Sequence, residues 1–286
     1  MTQAAAPKKL KNADRQQVLT KVLAVLKKKY KASPPKQSRP VLETMLFGVL
    51  LEDVPYAQAE KSLDRLLKSF FDLNEIRVSS VAEIEEALDG LPSAGWRGLR
   101  IREILQYSFE KFFAFDLEPL RRKTLEQVEK SLDKIKHLTH FTREFTLLHC
   151  MGAHSIPLDQ SSHELLGWLG VATPDNHKAA ADELRAAVRK ADVPTFFHLV
   201  HSLASEPAFH GAFRLKPSEK AAGGGDPGSA VERLNAMLAS GGKRPVAKTI
   251  RKPSKPAAES RPARKSGSGN ARKVAKAKPA RSSKRK

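Results

Sequence analysis

Apolar residues recur at helical spacing along most of the first 215 positions. Val18, Leu19, Val22, Leu23 and Leu26 predict a helix over 14–30, with Lys21, Lys27, Lys28 and Lys29 on its other face. Ser33-Pro34-Pro35 ends it, because proline cannot continue a helix. The mostly apolar stretch 41–51 predicts a buried helix, and 57–71 puts Leu63, Leu66, Leu67 and Phe70 on one face. Ser80 with Glu83, and Thr124 with Gln127, form capping-box patterns ahead of further apolar periods. Ile101, Ile104, Leu105, Ser108, Phe109 and Phe112 make another stripe. Thr173-Pro174 predicts a helix start with proline at the first helical position, and 194–203 supplies the last helix of the body. No segment keeps a period-two alternation, so the body over roughly 14–213 is predicted to be all-α.

Charge changes the picture at the C-terminal end. Residues 241–286 hold 17 Lys/Arg and one acid, Glu259, and so carry +16 of the total +20. The first 240 residues are nearly balanced, with 34 basic and 30 acidic side chains. A tail of this kind points to a polyanionic partner, most often nucleic acid. Its composition builds no core, which predicts disorder in isolation. Gly223-Gly224-Gly225 opens a linker before it, with a short helix predicted over 229–238. The chain thus divides into an N-terminal extension with a basic helix (1–37), an all-α domain (38–215), the linker (216–240) and the tail (241–286).

One cysteine, Cys150, builds neither a disulfide framework nor a four-cysteine metal or iron–sulfur site. No apolar run approaches the roughly 20 residues of a membrane span, and the N-terminus lacks a secretory pattern. A soluble cytoplasmic protein associated with the nucleoid is the expectation.

The segment from Ile135 to Gly170 resembles the central motif of the endonuclease III family, within the helix-hairpin-helix DNA glycosylase superfamily. The family's hairpin, Leu-Pro-Gly-Val-Gly-Arg-Lys-Thr, falls on Ile135 to Thr142. Its Val-Asp-Thr-His falls on Leu158 to Ser161, and its Arg-Leu-Gly on Trp168-Leu169-Gly170. Gly95-Trp96-Arg97-Gly98-Leu99-Arg100 is similar to the family's Gly-Leu-Tyr-Asn-Ser-Lys helix start, and the likeness extends over about 40–205. The resemblance implies a two-lobed all-α fold and binding of double-stranded DNA in base-excision repair, with RNA as a non-specific second partner of the basic tail. It also implies a catalytic carboxylate at Asp159, since such a group stabilises the positive charge that develops on the sugar.

The departures shape the chemistry. The hairpin glycines, which let backbone amides reach a phosphate, give way to Lys136, His137, Leu138 and Thr139. The family's attacking lysine becomes Phe141, which cannot form a Schiff base, so a monofunctional N-glycosylase is the enzymatic form left. No iron–sulfur cluster is expected. Glu52-Asp53 stand where the family has a polar wedge and would repel phosphate. Lys136, His137, Thr139, His140, Arg143, Arg97 and Arg100 are the candidate DNA contacts of the body; Lys273, Lys276 and Lys278 are those of the tail. Asp159 also begins a helix, where aspartate is a favoured cap whether or not it catalyses. His198 and His201 sit three apart without further ligands at recognisable spacing, so no metal is expected. A non-catalytic nucleoid protein that uses the fold as a clamp is the alternative. The lesion recognised and the oligomeric state have no local signature.

Overall fold

The structure, a computed structural model, describes residues 10–35 and 38–242. Among the described residues thirteen α-helices and no strands are found. They are α1 (Asn12–Lys29), α2 (Val41–Leu51), α3 (Tyr56–Ser69), α4 (Leu73–Val78), α5 (Val81–Ala87), α6 (Ala94–Phe112), α7 (Leu125–Leu132), α8 (His140–Met151), α9 (Gln160–Leu169), α10 (His177–Ala187), α11 (Val193–Ala204), α12 (Pro217–Ala221) and α13 (Ala230–Ala239). No described helix is long and apolar enough to cross a membrane. The candidate tail residues Lys273, Lys276 and Lys278 lie outside the described residues.

Two apolar cores make two lobes. The first is built by α2 to α8 around α2, of which all residues but Glu43 are buried. A Cβ on Gly48 would lie 3.2 Å from the Phe145 ring, so this glycine lets α2 and α8 cross closely. Burial of large side chains such as Phe47, Leu50 and Leu51 contributes roughly 1.5–3 kcal/mol each. Both capping boxes form, at Ser80 with Glu83 and at Thr124 with Gln127.

The second core gathers α1, α9, α10, α11 and α13. Helix α1 is therefore part of a lobe and not an extension before it. Leu19, Val22 and Leu26 are buried there, and Arg15 donates to Val171 O at 2.9 Å and pairs with Glu183 at 3.1 Å. The segment 216–240 is likewise docked. Ala230, Leu234 and Met237 are buried, and Arg233 Nη1 donates to Trp168 O at 2.7 Å. Helix α10 starts at His177, not at Pro174. Asn176 caps it by accepting from Ala179 N, whereas Thr173 is drawn to Glu183 through both its N–H and its hydroxyl.

Candidate nucleic-acid interface and the interlobe carboxylate

Asp159 is the N-cap of α9 and sits where the two lobes meet. Its Oδ1 accepts from Ser162 N at 2.8 Å. Its Oδ2 accepts from Asp53 N at 3.0 Å and lies 3.2 Å from His201 Nε2. The Asp53 carboxylate returns the contact by accepting from Ser161 N at 2.7 Å. Two of the orphan amides at the start of α9 are thus satisfied, one by its own cap and one from the other lobe. The Asp159 side chain is 0 % exposed.

Burial alone would raise the Asp159 carboxyl. The charge and hydrogen bond of His201, with the Ser162 N–H, outweigh it and hold the group well below the usual carboxylate range. Burial alone would lower His201, but Asp159 outweighs it and holds the imidazole above its ordinary value. His201 Nε2 also lies 3.2 Å from Leu51 O, which ties α11 to the end of α2. Phe141, 1 % exposed, lies stacked on the His201 ring with centroids 6.2 Å apart, and Phe197 packs on it at 5.4 Å. A crevice reaching His201 holds about 10 Å³, at most one water's worth. The larger clefts, of about 590, 270 and 240 Å³, are not lined by Asp159.

Several candidate contacts are absorbed by the same hub. Arg97 is 4 % exposed and turned inward, so it is not a surface cation. Its guanidinium donates to Pro92 O at 2.8 Å, to Glu52 O at 2.6 Å and to Val49 O, closing the carbonyl end of α2. Arg100 pairs with Glu52 at 3.2 Å, and the Thr139 hydroxyl donates to the same carboxylate oxygen at 3.2 Å. Thr139 also caps α8 by accepting from Thr142 N. Glu52 and Asp53 are therefore engaged inside the protein and do not present a bare acidic edge; burial raises both carboxyls. Arg143 is ringed by acids, with Asp133 at 3.0 Å, Glu129 at 3.8 Å and Glu144 in direct contact. His140 lies 3.8 Å from Glu144, and burial lowers its pKa.

Lys136 and His137 are different. They lie exposed on the turn between α7 and α8, and no ion pair engages either among the described residues. His137 holds φ +59°, a left-handed conformation that glycine adopts freely and histidine does not. The backbone thus turns here through a left-handed residue without a glycine. Beside it the Trp96 indole is 58 % exposed, edge-on to the His137 ring at 6.2 Å. Trp96 escaped the sequence reading as a contact, although it stands inside the quoted Gly95–Arg100 motif. His201 escaped as a partner because its link to Asp159 spans 42 positions. His198 bonds elsewhere, to Lys31 O at 3.1 Å.

The four thiolates of an iron–sulfur cluster do not fit this chain, whose one cysteine, Cys150, is buried in the first core.

No protein-family model and no curated protein matches the chain. Solved structures do. The chain is similar to an endonuclease III trapped as a covalent intermediate with DNA, with a TM-score of 0.53 and 14 % identity over 68 % of this chain and 85 % of that one. A non-covalent endonuclease III–DNA complex gives 0.51 and 15 % identity over 65 % and 84 %. A thermostable thymine-DNA glycosylase gives 0.50 and 13 % identity over 68 % and 88 %. At such identities the likeness is one of architecture, and the chain has the two-lobed, all-α fold of the helix-hairpin-helix DNA glycosylases.

Proposed function

We propose that the protein binds duplex DNA through the hairpin surface of a glycosylase fold, and that its interlobe carboxylate is a strut and not a catalyst. The observation that carries this reading is the closure of Asp159. A carboxylate that assists base excision must meet the charge developing on the sugar. Here its oxygens are taken by the Ser162 and Asp53 amides and by His201, and Phe141 covers the imidazole.

Binding is supported by what stays open. Lys136 supplies a free cation at the hairpin, and phosphate contacts of this kind position a protein on DNA without reading sequence. Trp96 adds an exposed apolar face of the sort that packs into a minor groove. The 17 basic residues of 241–286 would add affinity by counterion release. This reading agrees with a nucleoid-associated protein.

Fluorescence anisotropy on an undamaged duplex tests it. Lys136→Gln together with Trp96→Ala is expected to weaken binding about ten-fold, or roughly 1.4 kcal/mol. Lys136→Gln alone should lower the salt slope by about one. Unchanged affinity in the double variant would remove the hairpin from the interface.

A further inference from the structure

We infer that Glu52 fills a phosphate subsite of the hairpin surface: its carboxylate stands in for a DNA phosphate and so withholds Arg100 and the Thr139 hydroxyl from the duplex. The inference rests on the DNA-binding reading above and deepens it at the same surface.

Helix α6 and the turn before α8 bring the parts together. Trp96 and Arg100 stand four apart on α6 and share a face. His137 and Thr139 stand two apart at the entry to α8. The Trp96 and His137 rings meet at 6.2 Å. One turn further along α6, Glu52 Oε2 lies 3.2 Å from Arg100 Nη1 and accepts from the Thr139 hydroxyl at 3.2 Å. Thr139 is the N-cap of α8, a helix of 12 residues whose dipole favours an anion at this end. A guanidinium, a hydroxyl and a helix start around one carboxylate oxygen are groups that also hold a phosphate oxygen.

The pair is loose for a structural ion pair. Charge-assisted contacts between a guanidinium and a carboxylate run at roughly 2.7–2.9 Å and are often bidentate. Arg100 reaches Glu52 through one nitrogen at 3.2 Å, and its Nε is buried with no hydrogen-bond partner among the described residues. Burial raises the Glu52 carboxyl although Arg100 pulls it down, so the pairing does not offset the loss of solvent. The pair also sits at the open edge of the hub. The Arg100 and Glu52 side chains are 23 % and 18 % exposed, against 4 % and 0 % for His201 and Asp159. Of the acids around it, Asp53 accepts from Ser161 N, Asp133 holds Arg143 at 3.0 Å, and Glu85 lies against Gly95 at the start of α6. Glu103, one turn beyond Arg100, is in no ion pair among the described residues. Among these carboxylates, Glu52 is the one that holds Arg100.

Fluorescence anisotropy on an undamaged duplex over a salt series tests the exchange. Glu52→Gln keeps the side-chain shape and frees Arg100, so affinity should rise severalfold and the salt slope should steepen by about one. The gain should vanish in Glu52→Gln/Arg100→Gln. Glu103→Gln removes an equal charge one turn away and should not steepen the slope. Wild-type affinity and slope in Glu52→Gln, a gain that survives in the double variant, or an equal gain in Glu103→Gln would each overturn the inference. Urea unfolding reads whether Glu52→Gln folds. Should it not, Glu52→Asp, one methylene shorter, should give a smaller gain of the same sign, and no gain there would also overturn it. Weaker binding in Lys136→Gln/Trp96→Ala beside an unmoved Glu52→Gln would sink this inference and leave the hairpin reading standing. Affinity unmoved in both would sink the two together.

Discussion

The interlobe hub and the hairpin turn are close in the fold and opposite in character. In the hub, Glu52, Asp53 and Asp159 face Arg97, Arg100 and His201, and each of the six has a partner inside the protein. On the hairpin, Lys136, His137 and Trp96 face outward. A buried charge is tolerated only with its partner, so the hub stands or falls as a set. The hairpin's groups are free to pair with something external. Asp159 of the one and Lys136 and His137 of the other fall in the same linear motif. The lesson is that a match places a side chain, while its neighbours decide whether the group is available for chemistry.

The largest effect is expected from breaking the hub. His201→Leu leaves Asp159 buried without its cation and should cost about 3–5 kcal/mol of stability at pH 6. Since the folded pKa of His201 is raised, the pair's contribution is complete below the ordinary imidazole value of about 6.5 and drains away as pH climbs through the raised value. Asp159, held low, keeps its share until pH falls through its own lowered value. Urea unfolding should therefore show a wide gap between wild type and variant at pH 6 and a narrower one at pH 9. A gap that widens with pH contradicts the assignment. Adding Asp159→Asn to His201→Leu should cost less than the two single losses together, because the second change removes the orphaned charge.

Arg97→Met sharpens the contrast. Stranding carbonyls at the end of α2 should lower stability by roughly 2–3 kcal/mol. Affinity for DNA per folded molecule should hold; a fall in affinity at full stability would return Arg97 to the interface. The smallest effect is expected at the hairpin itself. His137→Gly relieves a left-handed histidine and should raise stability by up to about 1 kcal/mol, read as a higher urea midpoint. A loss of stability there would mean that the ring contact with Trp96 outweighs the strain.

The helices and their local signals were legible in the sequence because periodicity and capping act within a few residues. Ser80 with Glu83 and Thr124 with Gln127 closed as their spacing predicts. The six-residue α4 escaped, although Asp72 caps it through Glu75 N; so short a stretch carries too little period to register. Thr173-Pro174 misled because a carboxylate ten positions on, Glu183, captures the threonine. The site was less legible than the fold. Arg97 reads as one more basic residue on a helix face until the end of α2 arrives beside it, 45–48 positions away in sequence. Nothing local tells His201 that its partner is Asp159. Lys136 and His137 stand exposed on the turn between α7 and α8, where a short polar stretch between two apolar periods leaves them.

Asp159 is proposed to hold the lobes together and not to remove bases. Single-turnover incubation of the wild type with duplexes carrying uracil, oxidised or alkylated bases, followed by alkaline cleavage, tests it most directly. Strand breaks are expected at the buffer level on every duplex, with binding intact. Base release from any of them, lost in an Asp159→Asn protein that still folds and binds, would contradict it.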